Sequence, residues 1–184
     1  MSEPVIIDYA SITSLDLLNQ QLEVLPDLSM YTNLKILNCS FNFIKLLDNL
    51  PPSLESLICY ENQLTELDNL PPNLKKLYCW CNRLTSLDNL PINLEILNCY
   101  NNHITSLDNL PDGLLELYCS YNQITSLDNL PPNLKELYCY SNQITLLDNL
   151  PSSLVELYCL DNPFVYEFVL TLENIRNYNA SRIA

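Results

Sequence analysis

Eight cysteines, one histidine and a recurring aspartate are the residues here that could do chemistry. Seven of the cysteines, Cys39, Cys59, Cys79, Cys99, Cys119, Cys139 and Cys159, stand 20 residues apart. Thiolates are nucleophiles and soft metal ligands, so such a column could be a disulfide ladder, a zinc site or a row of small buried side chains. Cys81 lies outside the column in Cys79-Trp80-Cys81, and His103 is the one imidazole that could activate it. The pair Asp-Asn recurs six times, from Asp48-Asn49 to Asp148-Asn149, and a row of carboxylates could hold a divalent cation.

Spacing decides among these chemistries. Zinc needs four ligands around one point, and one ligand per repeat does not converge. If the cysteines sit on neighbouring parallel strands, their Cα atoms are ~4.8 Å apart. In-register side chains then point the same way, leaving Cβ atoms ~4.8 Å apart, beyond the ~3.8 Å that disulfides favour. Eight free thiols, seven of them acting as small buried hydrophobes, are expected. The Asp-Asn pairs carry no glycine turn and read as turn formers. A Cys81/His103 nucleophile would lack an orienting third group and a pocket. No catalytic residue, no metal site and no cofactor is expected.

Composition narrows the classes further. The 184 residues are 48% apolar and 16% charged, enough for one packed core. A single glycine argues against glycine-rich phosphate loops, and twelve prolines argue against a helix bundle. A net charge of −14 repels phosphate backbones, so nucleic acid is not an expected partner. No basic-then-apolar leader opens the sequence, and no run of about 18 apolar residues would span a membrane. A cytoplasmic location with reduced thiols is expected.

The elements that carry these residues follow from the repeat. Leu54, Leu74, Leu94, Leu114, Leu134 and Leu154 are in phase with one another, as are Leu57 to Leu157 and Asn42 to Asn162. The unit reads L-x-x-L-x-C-x-x-N-x-[LI]-T-x-L-D-N-L-P-P-x. A looser copy, from Leu15 through Leu28, brings the count to about eight. Leu57 and Cys59 should point inward and Ile58 outward, as in a short strand. Pro pairs such as Pro71-Pro72 forbid helix and favour extended geometry. One unit cannot bury its leucine face alone, whereas stacked units can.

The unit resembles the leucine-rich repeat family, L-x-x-L-x-L-x-x-N-x-L. Its length and L-P-P-x-L-x-x-L phrase are similar to the short bacterial effector type, and Y-C-Y-x-N-Q-[LI]-T is similar to repeat proteins of giant, mimivirus-like DNA viruses. The resemblance implies a right-handed leucine-rich repeat solenoid: a parallel β-sheet on the concave face, extended, polyproline or 3₁₀ segments on the convex face. Expected boundaries are an N-terminal cap over 1–11, repeats over 12–164 and a partly helical cap over 165–184. Within the tail, Phe164, Phe168, Leu172 and Ile175 fit a helical face after Pro163, and 177–184 read as a frayed end.

Outward positions on the strands should then carry function. One column runs Asn38, Ile58, Tyr78, Asn98, Tyr118, Tyr138, Tyr158, and the next Ser40, Tyr60, Trp80, Tyr100, Ser120, Tyr140, Leu160. Such aromatic density marks a binding surface, though cross-strand stacking would also use it. Glu116, Glu136 and Glu156 stand beside it and favour a basic or hydroxyl-rich protein partner. The expected partner-binding set is Tyr60, Tyr78, Trp80, Tyr100, Tyr118, Tyr138, Tyr140, Tyr158 and the three glutamates. A non-enzymatic protein-protein interaction module is the first reading. A self-associating structural or virion component and carbohydrate binding on the aromatic strip are the alternatives. If the chain is viral, the cytoplasm in question is the host's.

Overall fold

The computed structural model describes residues 8–183. It holds eight three-residue strands: β1 Ser14–Asp16, β2 Ile36–Asn38, β3 Ser56–Ile58, β4 Lys76–Tyr78, β5 Ile96–Asn98, β6 Glu116–Tyr118, β7 Glu136–Tyr138 and β8 Glu156–Tyr158. They form one parallel sheet in sequence order. Register follows the repeat: Leu57 pairs with Leu77, Leu77 with Leu97, and Tyr118 with Tyr138. Because the central residue of each strand is the in-phase leucine, its neighbours on either side face out.

Each coil buries the same set of side chains. In the fourth coil Leu74, Leu77, Cys79, Leu84 and Leu87 are all at most 2% exposed. Seven of the cysteines take the third inward position, where their small side chains stack coil on coil, and these and Cys81 are all free. Two corners close each coil. At one, Asn49, Asn69, Asn89, Asn109 and Asn149 adopt the left-handed conformation, φ 58–64°. Asn tolerates that region best after glycine, which explains the Asn of the Asp-Asn pair. At the other, Phe41, Glu61, Cys81, Asn101, Tyr121, Ser141 and Asp161 hold φ of 52–54°. On the convex side Leu74 N–H donates to Pro71 O at 3.1 Å, a tight turn whose first residue has its φ pre-set by the ring.

The asparagine column ties the coils together. Asn82 Nδ2 donates to the carbonyls of Cys59 and Cys79, both at 3.1 Å, and Asn82 Oδ1 accepts from Leu64 N–H at 2.9 Å. The same pattern recurs at Asn102, Asn122 and Asn142, all buried. Each amide thus satisfies backbone groups of its own coil and of the one before.

Both ends depart from the repeat. At the start, the part of the expected cap over residues 1–7 lies outside the described residues. A 3₁₀ turn, Tyr9–Ser11, follows, with Tyr9 edge-on to Tyr31. The tail corrects the sequence expectation. Helix α1 spans only Leu172–Ile183, beginning well after Phe164, and it runs through the residues expected to fray. From Phe164 to Leu170 burial alternates strictly, with Phe164, Tyr166, Phe168 and Leu170 turned in and Val165, Glu167 and Val169 out. The segment is therefore extended and lays one aromatic face over the last coil. Helix α1 then docks through buried Ile175, while Asn179 Nδ2 donates to Leu147 O at 2.8 Å.

Candidate concave recognition surface

The strand register places both outward columns on one face. Tyr60 and Trp80 stack face to face, centroids 3.9 Å apart at 8°. Tyr78 meets Trp80 edge-on at 6.1 Å, and Phe41 meets Tyr60 edge-on at 5.3 Å. Further along, Tyr118, Tyr138 and Tyr158 form a continuous stack, with centroids 4.8 and 4.4 Å apart. Tyr121 joins Tyr100 and Tyr140 in a third cluster. The expected aromatics are thus brought together in three packed groups. Most of their rings are half-buried by one another, and Tyr158 is the most open of the expected aromatics at 51%. Cross-strand stacking holds the face rigid, which lowers the entropy an aromatic surface loses on contact.

Two residues escape a reading of the sequence alone. Phe41, exposed and edge-on to Tyr60, extends the aromatic face toward the N-terminal end. Its signal is its phase, since Tyr121 occupies the same point of its own repeat. Ser120 interrupts the second aromatic column. That gap opens a pit of about 310 Å³ walled by Trp80, Tyr100, Tyr118, Tyr138 and Tyr140. Ser120 lines it and is 1% exposed, with Asn98 beside it.

Charge is concentrated at the same end. Glu116 pairs in register with Glu136, and Glu136 with Glu156. Tyr118 Oη lies 3.1 Å from Oε2 of both Glu116 and Glu136. Burial and these two carboxylates push the Tyr118 phenol up from its ordinary value. The ion pairs among the described residues lie elsewhere: Lys35 and Lys75 on Glu55, and Arg182 on Asp148. Three in-register carboxylates repel one another.

Neither a nucleophile nor a metal constellation forms among the described residues. Cys81 Sγ accepts from Asn101 Nδ2 at 3.3 Å. Desolvation is the main cause raising the Cys81 thiol pKa, away from thiolate. No three His, Cys, Asp or Glu side chains gather where one ion could sit. On the convex side Asn89 Nδ2 donates to Asp68 Oδ1 at 3.1 Å and Asn129 Nδ2 to Asp108 Oδ1 at 2.7 Å, so these carboxylates are tied up by the next coil.

A family model described as leucine-rich repeats (two copies) matches residues 72–112, 92–132 and 112–152. The chain folds as a leucine-rich-repeat solenoid. Among solved structures it is similar to YopM, a leucine-rich effector protein from Yersinia pestis, at 38% identity and TM-score 0.79, covering 85% of this chain and 44% of YopM. It is also similar to a Shigella effector leucine-rich-repeat domain, at 29% identity and TM-score 0.73, covering 95% of this chain and 77% of that one. A third is the functional domain of InlJ from Listeria monocytogenes, described as including a cysteine ladder, at 31% identity and TM-score 0.66. That match covers 91% of this chain and 43% of the InlJ domain. The solenoid therefore spans less than half the length of the YopM and InlJ chains it matches. No curated protein matches its sequence. All three structures are bacterial, and the likeness to giant-virus repeats rests on the wording of the repeat alone. The fold is a scaffold typical of protein-interaction modules. No helix among the described residues is long and apolar enough to cross a membrane.

Proposed function

We propose that this solenoid recognises a protein partner on its concave face, gripping a basic or hydroxyl-rich segment against the tyrosine stack. The observation that carries this reading is the alignment of Tyr118, Tyr138 and Tyr158 beside Glu116, Glu136 and Glu156, one pair per strand across β6 to β8. Rigid rings supply apolar area, and the carboxylates supply charge that no base of the described chain neutralises. Effector proteins among its structural relatives support a role in binding, and seven buried free thiols support work in a reducing cytoplasm, a host's if the chain is viral.

Affinity capture with the intact chain tests the reading. Removing a tyrosine anchor typically costs ~2 kcal/mol or more of binding. Tyr138→Ala with Tyr140→Ala should abolish capture of the main partner while circular dichroism stays native. Asp128→Ala with Asn129→Ala on the convex side should leave capture intact. The opposite pattern would place the site on the convex side.

A further inference from the structure

The aromatic pit holds a buried hydroxyl whose hydrogen-bonding capacity is unused. Ser120 Oγ is buried without a partner. The serine at the same point of an earlier repeat behaves differently: Ser40 Oγ donates to Asn38 Oδ1 at 2.7 Å. At Ser120 the preceding outward residue is Tyr118, so that carboxamide is missing, and Ser120 faces rings instead. Tyr118, which walls the pit, turns its hydroxyl to two carboxylates, each 3.1 Å away, with one proton to share between them. One of Glu116 and Glu136 therefore lacks this donor, and both lack a counter-charge among the described residues.

We infer that the pit is a receptor for an arginine side chain on the partner's segment. This rests on the concave-face reading above and names what that face selects. A guanidinium carries five N–H donors, a permanent positive charge and a flat face that stacks on tyrosine and tryptophan. It fits between aromatic walls by cation–π attraction while its N–H groups face the Ser120 oxygen and its charge is drawn to the carboxylate oxygens held at the Tyr118 hydroxyl. An apolar or aromatic side chain would fill the walls and leave every one of those oxygens unanswered. A trimethylated ammonium would bring charge but no donor. Proximity to three in-register glutamates adds attraction that a neutral ligand would forgo.

Trp80, the one tryptophan of the chain, lines the pit and reports on it directly. The experiment titrates the full chain with a short peptide carrying a central arginine, and with its citrulline counterpart, which has the same shape and no charge. Trp80 fluorescence is followed up to millimolar peptide. A saturable response is expected for arginine, roughly tenfold or more weaker for citrulline, and falling with added salt. Ser120→Tyr, which fills the pit with the residue type of its column, should remove the response while Tyr60 and Trp80 stay stacked. Glu116→Gln with Glu136→Gln, two outward substitutions, should weaken it roughly tenfold and decides the question independently should Ser120→Tyr fail to fold. Equal response to citrulline, an undiminished response in the filled or charge-neutralised variant, or no saturable response to arginine would overturn the inference. If that happens while Tyr138→Ala with Tyr140→Ala still loses the partner, the concave face stands and only the arginine pit is removed.

Discussion

The side-chain oxygen of Asn82 accepts the backbone N–H of Leu64, in the preceding coil, at 2.9 Å. Through this bond and the carbonyls of Cys59, Cys79 and Trp80 that its amide reaches, one buried side chain joins consecutive coils. Asn82→Ala leaves those buried backbone groups unpaired and should cost on the order of 3 kcal/mol, read as a lower urea midpoint at unchanged slope. Asn73, whose amide donates to Pro52 O on the exposed side, should cost less than about 1 kcal/mol when changed to Ala. Equal costs would mean the buried column is not what joins the coils.

The same period carries a pH dependence. Burial pushes the thiols of Cys39 and Cys99 to about 12 and that of Cys159 to about 11, and raises those of Cys59, Cys79, Cys119 and Cys139 as well. A folded pKa above the unfolded value means that the folded state holds the proton more tightly. The stability is therefore complete below the unfolded value, near 9, and is lost as pH rises toward the folded values. Each thiol contributes up to about 1.4 kcal/mol per pH unit within that window, and seven act together. The melting temperature should hold from pH 6 to 8 and drop steeply between pH 9 and 10.5. Cys99→Ala, though less stable at neutral pH, should lose stability less steeply in that range. A flat profile to pH 11 would show that the column is not desolvated.

Reactivity with a thiol reagent should separate the cysteines cleanly. Cys81, the one partly exposed thiol, reacts first, and the buried seven react only as the chain unfolds. Denatured without reductant, the protein should show eight thiols. A count of six or fewer would reveal a cross-linked ladder.

Much of this architecture is legible in the sequence because period 20 repeats every inward position. The strand leucines, the cysteine column and the asparagine column each appear seven or eight times, and repetition separates signal from chance. The tail appears once, and its spacing is ambiguous. Phe164 and Phe168 fit both a helical spacing and the extended alternation through Tyr166 and Leu170, and the alternation wins because it lays four apolar side chains on the last coil. The pit is harder still. It is made by what is missing at Ser120, and a depression shows only once the neighbouring rings have positions.

The left-handed corners give a conformational prediction. Asn109 holds φ 64° and is exposed. Asn109→Gly should leave stability within about 0.5 kcal/mol of the parent, while Asn109→Ala should cost about 1 kcal/mol and Asn109→Val more. Thermal melts of the three variants check the order. Val better tolerated than Gly would mean that the corner relaxes out of the left-handed region.

The most direct measurement of the recognition claim is amide hydrogen exchange on the solenoid, free and with the captured partner bound. Slowed exchange confined to the concave strands and their exits, 76–81, 96–101, 116–121, 136–141 and 156–161, is the expected result. Slowed exchange over the convex turns at 128–133 or over helix α1, with the strands unchanged, would contradict it.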